Sequence, residues 1–312
     1  MRQTTRLRQG QADLKEIEIL SIEFSSVCNL GCVYCFLNRE NGRPHYLDPA
    51  IYRKLITEIA GNTAYDIQTM EWPISGDFFM NKRWREFIDI TRQAMEDHPN
   101  FRPWVLLNDN MMLFTPDKIE VVLDSGVVHQ IICSLDGRDK ESAERMRPGA
   151  RYETLLAHIH ALVDANHACG NRVVIEINNG TDALCGAVRI DPAMQAVFDR
   201  VDRVRRWTPV KWNDSFTVEG DGGAMPKPGY CQFVTNVAAV STSGKLIKCC
   251  MDLQESTAYA DLTTSTLEQL WRGPERLAFM EKMGQGRRSE LPGCATCSIG
   301  YTDNDNAFRK KA

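Results

Sequence analysis

Eight of the eleven cysteines in this 312-residue chain fall into two groups whose spacing could do chemistry. In CNLGCVYC, Cys28, Cys32 and Cys35 stand as C-x3-C-x2-C beside Asn29 and Gly31. Buried thiols behave as small apolar residues, but three so close in a loop-like stretch do not suit that role. A closed zinc site takes four ligands, and no fourth Cys or His follows at a usual local spacing. Three thiolates suit an iron–sulfur cluster that leaves one iron open to another ligand. The second group is Cys231, the vicinal pair Cys249-Cys250, and Cys294-Ala295-Thr296-Cys297. Four thiolates from it would saturate a [4Fe–4S] cluster. A four-cysteine zinc ribbon fits Cys294 and Cys297, but the long Cys231–Cys249 separation fits it less well.

The elements that must hold these residues are legible from periodicity. Apolar, β-rich stretches at 17–24, 67–75, 104–108, 129–135 and 172–178 read as strands, with a sixth over 204–210. Between them, 48–61, 81–97, 115–126, 152–166 and 191–204 carry apolar residues at helical spacing. Asp48-Pro49 and Thr115-Pro116 supply cap and first-turn pairs, and Gly61 and Gly126 supply stops. Repeated β-α units predict an α/β fold with a parallel sheet, a partial (β/α)6 TIM-like barrel, with its chemistry at the carboxyl ends of the strands. Near residue 210 the pattern changes to a Gly-, Pro- and Asp-rich linker, 213–229. Residues 231–252 then read as a β-hairpin turning at Ser243-Gly244, followed by a helical segment over 265–284. The expected organisation is a barrel over 1–210 and a small α+β domain over 211–312.

Hydrophobic and charged shares of 43% and 25% are those of a globular protein. A net charge of −4 without a basic block disfavours a nucleic-acid partner. The first fifteen residues lack the apolar region of a secretory signal, and no apolar run reaches the roughly eighteen residues of a membrane span. The expected setting is cytoplasmic, away from membranes, where cysteines serve as metal ligands, redox groups or buried thiols rather than structural disulfides. Cys133, Cys169 and Cys185 are read as buried bystanders.

C-x3-C-x-aromatic-C after the first strand of a β/α chain resembles the radical S-adenosylmethionine superfamily, with Tyr34 at the aromatic position. The resemblance implies a [4Fe–4S] cluster on Cys28, Cys32 and Cys35 whose open iron binds the amino and carboxylate groups of S-adenosylmethionine. It also implies release of a 5′-deoxyadenosyl radical on reduction, and an electron donor such as a reductase, flavodoxin or ferredoxin. Tyr34 would lie beside the adenine. Ser75-Gly76-Asp77 stands where the family usually has Gly-Gly-Glu, with aspartate in place of the glutamate that meets the methionine amino group. Asn108 ends the third strand, and Ser134 and Asp136 end the fourth, resembling a Ser-x-Asp-Gly near ribose and carboxylate. Glu176 and Asn178 close the fifth and would meet ribose or substrate. Strand-end capping or turn formation accounts for each of these alone as well.

The later spacing, C-x12-G-x4-C and then C-x2-C, resembles the shortened auxiliary-cluster module of the same superfamily, the twitch domain. This implies a second [4Fe–4S] cluster held by Cys231, one of Cys249 and Cys250, Cys294 and Cys297. Relatives with such a module include an aminocyclitol dehydrogenase and epimerases of aminoglycosides. The spare thiol suggests the second kind: an S–H bond is weaker than a typical C–H bond, so a thiol can return a hydrogen atom to the far face of a sugar radical and invert the carbon. Without a donor the radical would become a ketone, which is dehydrogenation. Counting from Gly244 makes Cys249 the ligand and Cys250 the spare, whereas a one-residue bulge reverses them. Resemblance to the epimerases implies the donor at Cys249 and a cluster ligand at Cys250, so the pair stays open. A zinc-binding interaction module without catalysis is the reading from another class. A cationic aminoglycoside calls for carboxylates, and Asp214, Glu219, Asp221, Asp303 and Asp305 are loop candidates.

Overall fold

The computed structural model describes residues 13–35, 37, 45–180, 189–207, 231–252, 255, 258–295 and 297. Strands and helices alternate as β1 (Ile19–Ile22), α1 (Pro49–Ala60), β2 (Thr69–Trp72), α2 (Trp84–Asp97), β3 (Trp104–Asp109), α3 (Pro116–Asp124) and β4 (Gln130–Ser134). Next come α4 (Lys140–Met146), α5 (Tyr152–Ala168), β5 (Val174–Gly180), α6 (Pro192–Phe198) and β6 (Arg203–Trp207). The C-terminal elements are α7 (Gln232–Thr235), β7 (Val237–Val240), β8 (Lys245–Ile247), β9 (Ala260–Asp261), α8 (Leu267–Trp271) and α9 (Pro274–Gly284). Asp48 caps α1 through Ala50 N–H at 2.8 Å, with Pro49 in the first turn where its missing N–H costs nothing.

Nine strands form one sheet in the order β6-β5-β4-β3-β2-β1-β7-β8-β9. Neighbours from β6 to β7 run parallel, so the fold is the expected α/β partial barrel. The C-terminal segment continues that same sheet: β7 pairs with β1, then turns back through Gly244 (φ +78°) into antiparallel β8. Successive side chains alternate faces. Ile131, Cys133, Ile175 and Ile177 are almost fully buried on the helix-covered outer face. Phe24, Tyr52, Trp72, Phe78 and Phe87 pack there too, with Phe24 4.8 Å from Phe87 and 4.9 Å from Phe78. Each such ring stabilises the layer by roughly 1.5–3 kcal/mol. The alternate set, including Ser21, Glu71, Ser134, Glu176 and Asn178, lies on the inner face.

Three local departures have physical causes. Helix α6 stops at Phe198 rather than running to 204, because Asp202 takes the Ile175 N–H on its carboxylate at 2.8 Å and starts β6. Helix α4, which periodicity did not mark, is held by a capping box between Asp139 and Ser142. The 265–284 segment is two helices, because Pro274 cannot continue α8 and opens α9 instead. Among the described residues no helix is long and apolar enough to cross a membrane.

Candidate functional site

The Cys28–Cys35 loop leaves the end of β1 and is gripped by the α4 turn: Gly31 N–H donates to Pro148 O at 2.8 Å and Val33 N–H to Met146 O at 3.0 Å. Cys35 N–H reaches back to Cys32 O at 2.9 Å, closing a turn between these two cysteines. Cys32 is buried, while Cys28 and Cys35 are partly exposed. Burial pushes the Cys28 thiol up to about 12.

The segment after β2 folds against this loop. Gly76 has φ +64°, and a Cβ there would lie 1.8 Å from Ser25 O, so only glycine fits. Asp77 is buried: its Oδ1 caps the Phe78–Met80 turn through Phe79 N–H at 2.9 Å, and its Oδ2 accepts from Asn110 Nδ2 at 2.7 Å. Asn110 Nδ2 also reaches Asn29 Oδ1 at 2.9 Å and Cys28 Sγ at 3.6 Å. Burial raises Asp77 to about 6, and burial together with the Asp77 charge holds Asp109 well above the ordinary carboxylate range. The Ser75 hydroxyl donates to Glu23.

Asp136 sits at the end of β4 and is wholly buried. One oxygen accepts from Gly180 N at 2.6 Å; the other accepts from Tyr34 and from Arg147 Nε, the latter at 2.5 Å. Tyr34 lies edge-on to Trp207, 5.1 Å away. The expected ribose contact and adenine neighbour are therefore bonded to each other, with Arg147 as the buried countercharge. Glu176 accepts from Gln130 Nε2 at 2.9 Å. Asn178 Oδ1 is buried with no partner among the described residues, as is Asp109 Oδ2. Asn108 and Ser134 are half-buried at their strand ends.

The C-terminal cysteines divide. Cys231 packs with Val234, Phe279, Met280, Met283 and Leu291, and Cys249 and Cys294 lie against the same small core. Arg288, also buried, donates from Nε to Cys294 O at 3.0 Å and from Nη2 to Cys297 O at 3.2 Å. Cys250 packs instead with Ala239, Ile247 and Ile74, and Cys249 touches this group as well. Ala239 is opposite Ser21, which is opposite Glu71, so Cys250 stands on the barrel's inner face. Glu71 accepts from Ser21 Oγ at 2.6 Å and lies within electrostatic reach of Cys250, as does Cys231. The Cys250 thiol donates to the Cys249 sulfur, which lowers Cys249 and raises Cys250. Met251 N–H adds a 3.4 Å bond to Cys249 Sγ.

Glu23, Glu71, Arg147 and Arg288 carry no motif and were not singled out by spacing; each is a charged residue inside a strand or beside a cysteine loop. Cys133 is buried in the outer core and Cys169 packs against it, while Cys185 and the five loop carboxylates lie outside the described residues. No disulfide forms among the described cysteines. Nor do three His, Cys, Asp or Glu side chains among the described residues converge as ligands of one metal ion do. The thiolates of a [4Fe–4S] cluster bind separate irons and need no such convergence. Two soft-sulfur groups with an N–H···S donor beside each suit clusters, and the orphaned Asn178 oxygen near the carboxyl end of β5 suits a polar cofactor.

Comparison with known proteins agrees. Residues 22–182 match the profile of the Radical SAM superfamily, and residues 231–298 match an iron–sulfur cluster-binding domain. No curated protein matches in sequence. Among solved structures, BtrN in complex with AdoMet and 2-DOIA is 14% identical at a TM-score of 0.57, covering 92% of this chain and 94% of BtrN. SuiB of Streptococcus suis bound to S-adenosylmethionine is 12% identical at 0.59, covering 90% and 70%. Native anSMEcpe with bound AdoMet is 12% identical at 0.64, covering 90% and 89%. At these identities the likeness concerns the fold.

Proposed function

We propose, from the premise that the chain belongs to the radical SAM superfamily, that it is an epimerase inverting one carbon of an aminoglycoside-type sugar. Neomycin C to neomycin B at C5‴ is the reaction its vicinal thiols and short module resemble. The observation that carries this reading is the division of Cys249 from Cys250. Cys231, Cys249 and Cys294 share the small C-terminal core and Arg288 holds the Cys294–Cys297 loop, which supports Cys231, Cys249, Cys294 and Cys297 as one ligand set. Cys250 on the inner face is then the donor, the reverse of the assignment drawn from the epimerases and in keeping with the count from Gly244.

Cys28, Cys32 and Cys35 would hold one cluster; Tyr34, Ser75, Gly76, Asp77, Asn108, Ser134, Asp136, Glu176 and Asn178 would surround S-adenosylmethionine. When bound, these groups supply a 5′-deoxyadenosyl radical that takes a hydrogen atom from the sugar, and an auxiliary source of one electron. The chain does the rest. Cys250 delivers its thiol hydrogen to the opposite face of the carbon, and its sulfur recovers one electron from a reductase, flavodoxin or ferredoxin and one proton. Glu71, on the inner face, offers a carboxylate to a cationic substrate. Such chemistry suits a reducing, cytoplasmic setting.

A second reading, oxidation of a secondary alcohol of an aminocyclitol, is favoured by the likeness to BtrN, whose structure holds 2-DOIA. Turnover in deuterium oxide separates the two: deuterium at an inverted carbon supports epimerisation, a carbonyl product supports oxidation. Cys250→Ala should keep the iron of both sites and cofactor cleavage yet form no inverted product. Loss of the C-terminal iron in that variant, with Cys249→Ala retaining it, would refute the division of roles.

A further inference from the structure

Glu23 has a position that no step above uses. It follows β1 directly, is 2% exposed, and has one carboxylate oxygen on each side of a junction. Oε1 accepts the hydroxyl of Ser75, in the segment that reaches the cysteine loop through Asp77 N–H···Val27 O at 3.0 Å. Oε2 accepts Thr242 N–H at 2.9 Å, in the turn that joins β7 to β8 and leads to Cys249 and Cys250.

Taking a carboxylate out of water is costly, and β1 already pairs with β7 through its backbone from Ile19 to Ile22. The Glu23 N–H extends that ladder to Val240 O at 2.9 Å without needing the side chain. Thr242 N–H, at the turn, faces the carboxylate instead of a strand partner. A side chain with a hydrogen-bonding atom on each side of its head group suits this junction, since its partners come from two segments with no hydrogen bond to each other among the described residues. We propose that Glu23 is a positioning residue that sets the cofactor-side segment and the cysteine hairpin in register. It thereby fixes the distance between the place where the radical arises and the donor thiol. The proposal rests on the functional reading only for its product measurement.

The test uses the cluster-loaded protein. Glutamine at 23 can keep both bonds, its carbonyl accepting from Thr242 N–H and its amide donating to the Ser75 hydroxyl, whereas alanine breaks both. Glu23→Ala should retain iron while speeding hydrogen exchange at the Thr242 amide roughly fivefold or more, as loss of a buried hydrogen bond implies. It should also raise the 5′-deoxyadenosine formed per product. Glu23→Gln should restore both values. Ser75→Ala, which unlinks only the cofactor side, should leave Thr242 protected and still raise the ratio; it serves if the alanine variant does not fold. Unchanged Thr242 exchange in Glu23→Ala, an unchanged ratio in Ser75→Ala, or failure of glutamine to rescue would each overturn the proposal. Product identity enters only the ratio, so a carbonyl product would defeat the epimerase reading and leave the exchange result standing.

Discussion

Replacing Arg147 with methionine tests the buried ion pair that anchors the first cysteine loop. Arg147 and Asp136 have side-chain exposures of 9% and 0%, and their contact is 2.5 Å. Removing one member of such a pair costs about 3–5 kcal/mol, because the remaining charge is left buried without its countercharge. Asp136 would keep the Gly180 amide and the Tyr34 hydroxyl, which argues for the lower end. A loss of about 3 kcal/mol should lower the melting midpoint by roughly 4–6 °C in a chain of this size. Asparagine at 136 removes the stranded charge while still accepting from Gly180, so Arg147→Met with Asp136→Asn should recover at least half. Anaerobic melting followed by circular dichroism, with iron measured on the same samples, reads both effects. A loss below about 1 kcal/mol, or single effects that add within about 0.5 kcal/mol, would refute the account.

Gly76→Ala should abolish cofactor binding, because its Cβ meets the Ser25 carbonyl at 1.8 Å; Gly126→Ala, also at positive φ but in open space, should cost only about 1–2 kcal/mol and leave binding intact. Equilibrium binding of S-adenosylmethionine to the two variants compares them directly. Asp77, raised to about 6 by burial, holds its proton more tightly folded than unfolded. Its contribution to stability is present below about pH 4 and lost as pH rises through 6, by about 3 kcal/mol at 1.36 kcal/mol per unit. The stability difference between the wild type and Asp77→Asn, from urea unfolding at pH 4 and pH 7, should change by about 2.4 kcal/mol with the wild type favoured at the lower pH, part of the contribution being lost already at pH 4; a constant difference would disprove it.

Short-range patterns carried most of what could be read in advance. The C-x3-C-x2-C loop, the strand periods, the Asp48-Pro49 cap and the Gly244 turn depend on residues a few positions apart, so their physics is present in the local order of side chains. Helix α4 was missed because its seven residues are too short for a periodic signal, yet its turn grips the cysteine loop. The bonds of Asp77 and Asp136 lay outside local pattern: one caps a turn and meets Asn110, the other closes a network with Tyr34, Arg147 and Gly180.

The sequence alone determined that eight thiols would stand in two groups, the first just after β1, since the C-x3-C-x2-C and C-x2-C spacings are fixed by neighbouring residues. Only the tertiary structure showed that β7 joins β1 and that Cys250 packs on Ala239 and Ile247 while Cys231, Cys249 and Cys294 share the small C-terminal core, the contacts on which the proposed division of the vicinal pair rests. It also decided that Glu23 would span Ser75 and Thr242, a junction between residues 219 positions apart in the chain. Strand pairing creates such neighbours, and the energy of a buried charge is set by the partners that pairing brings within hydrogen-bond reach.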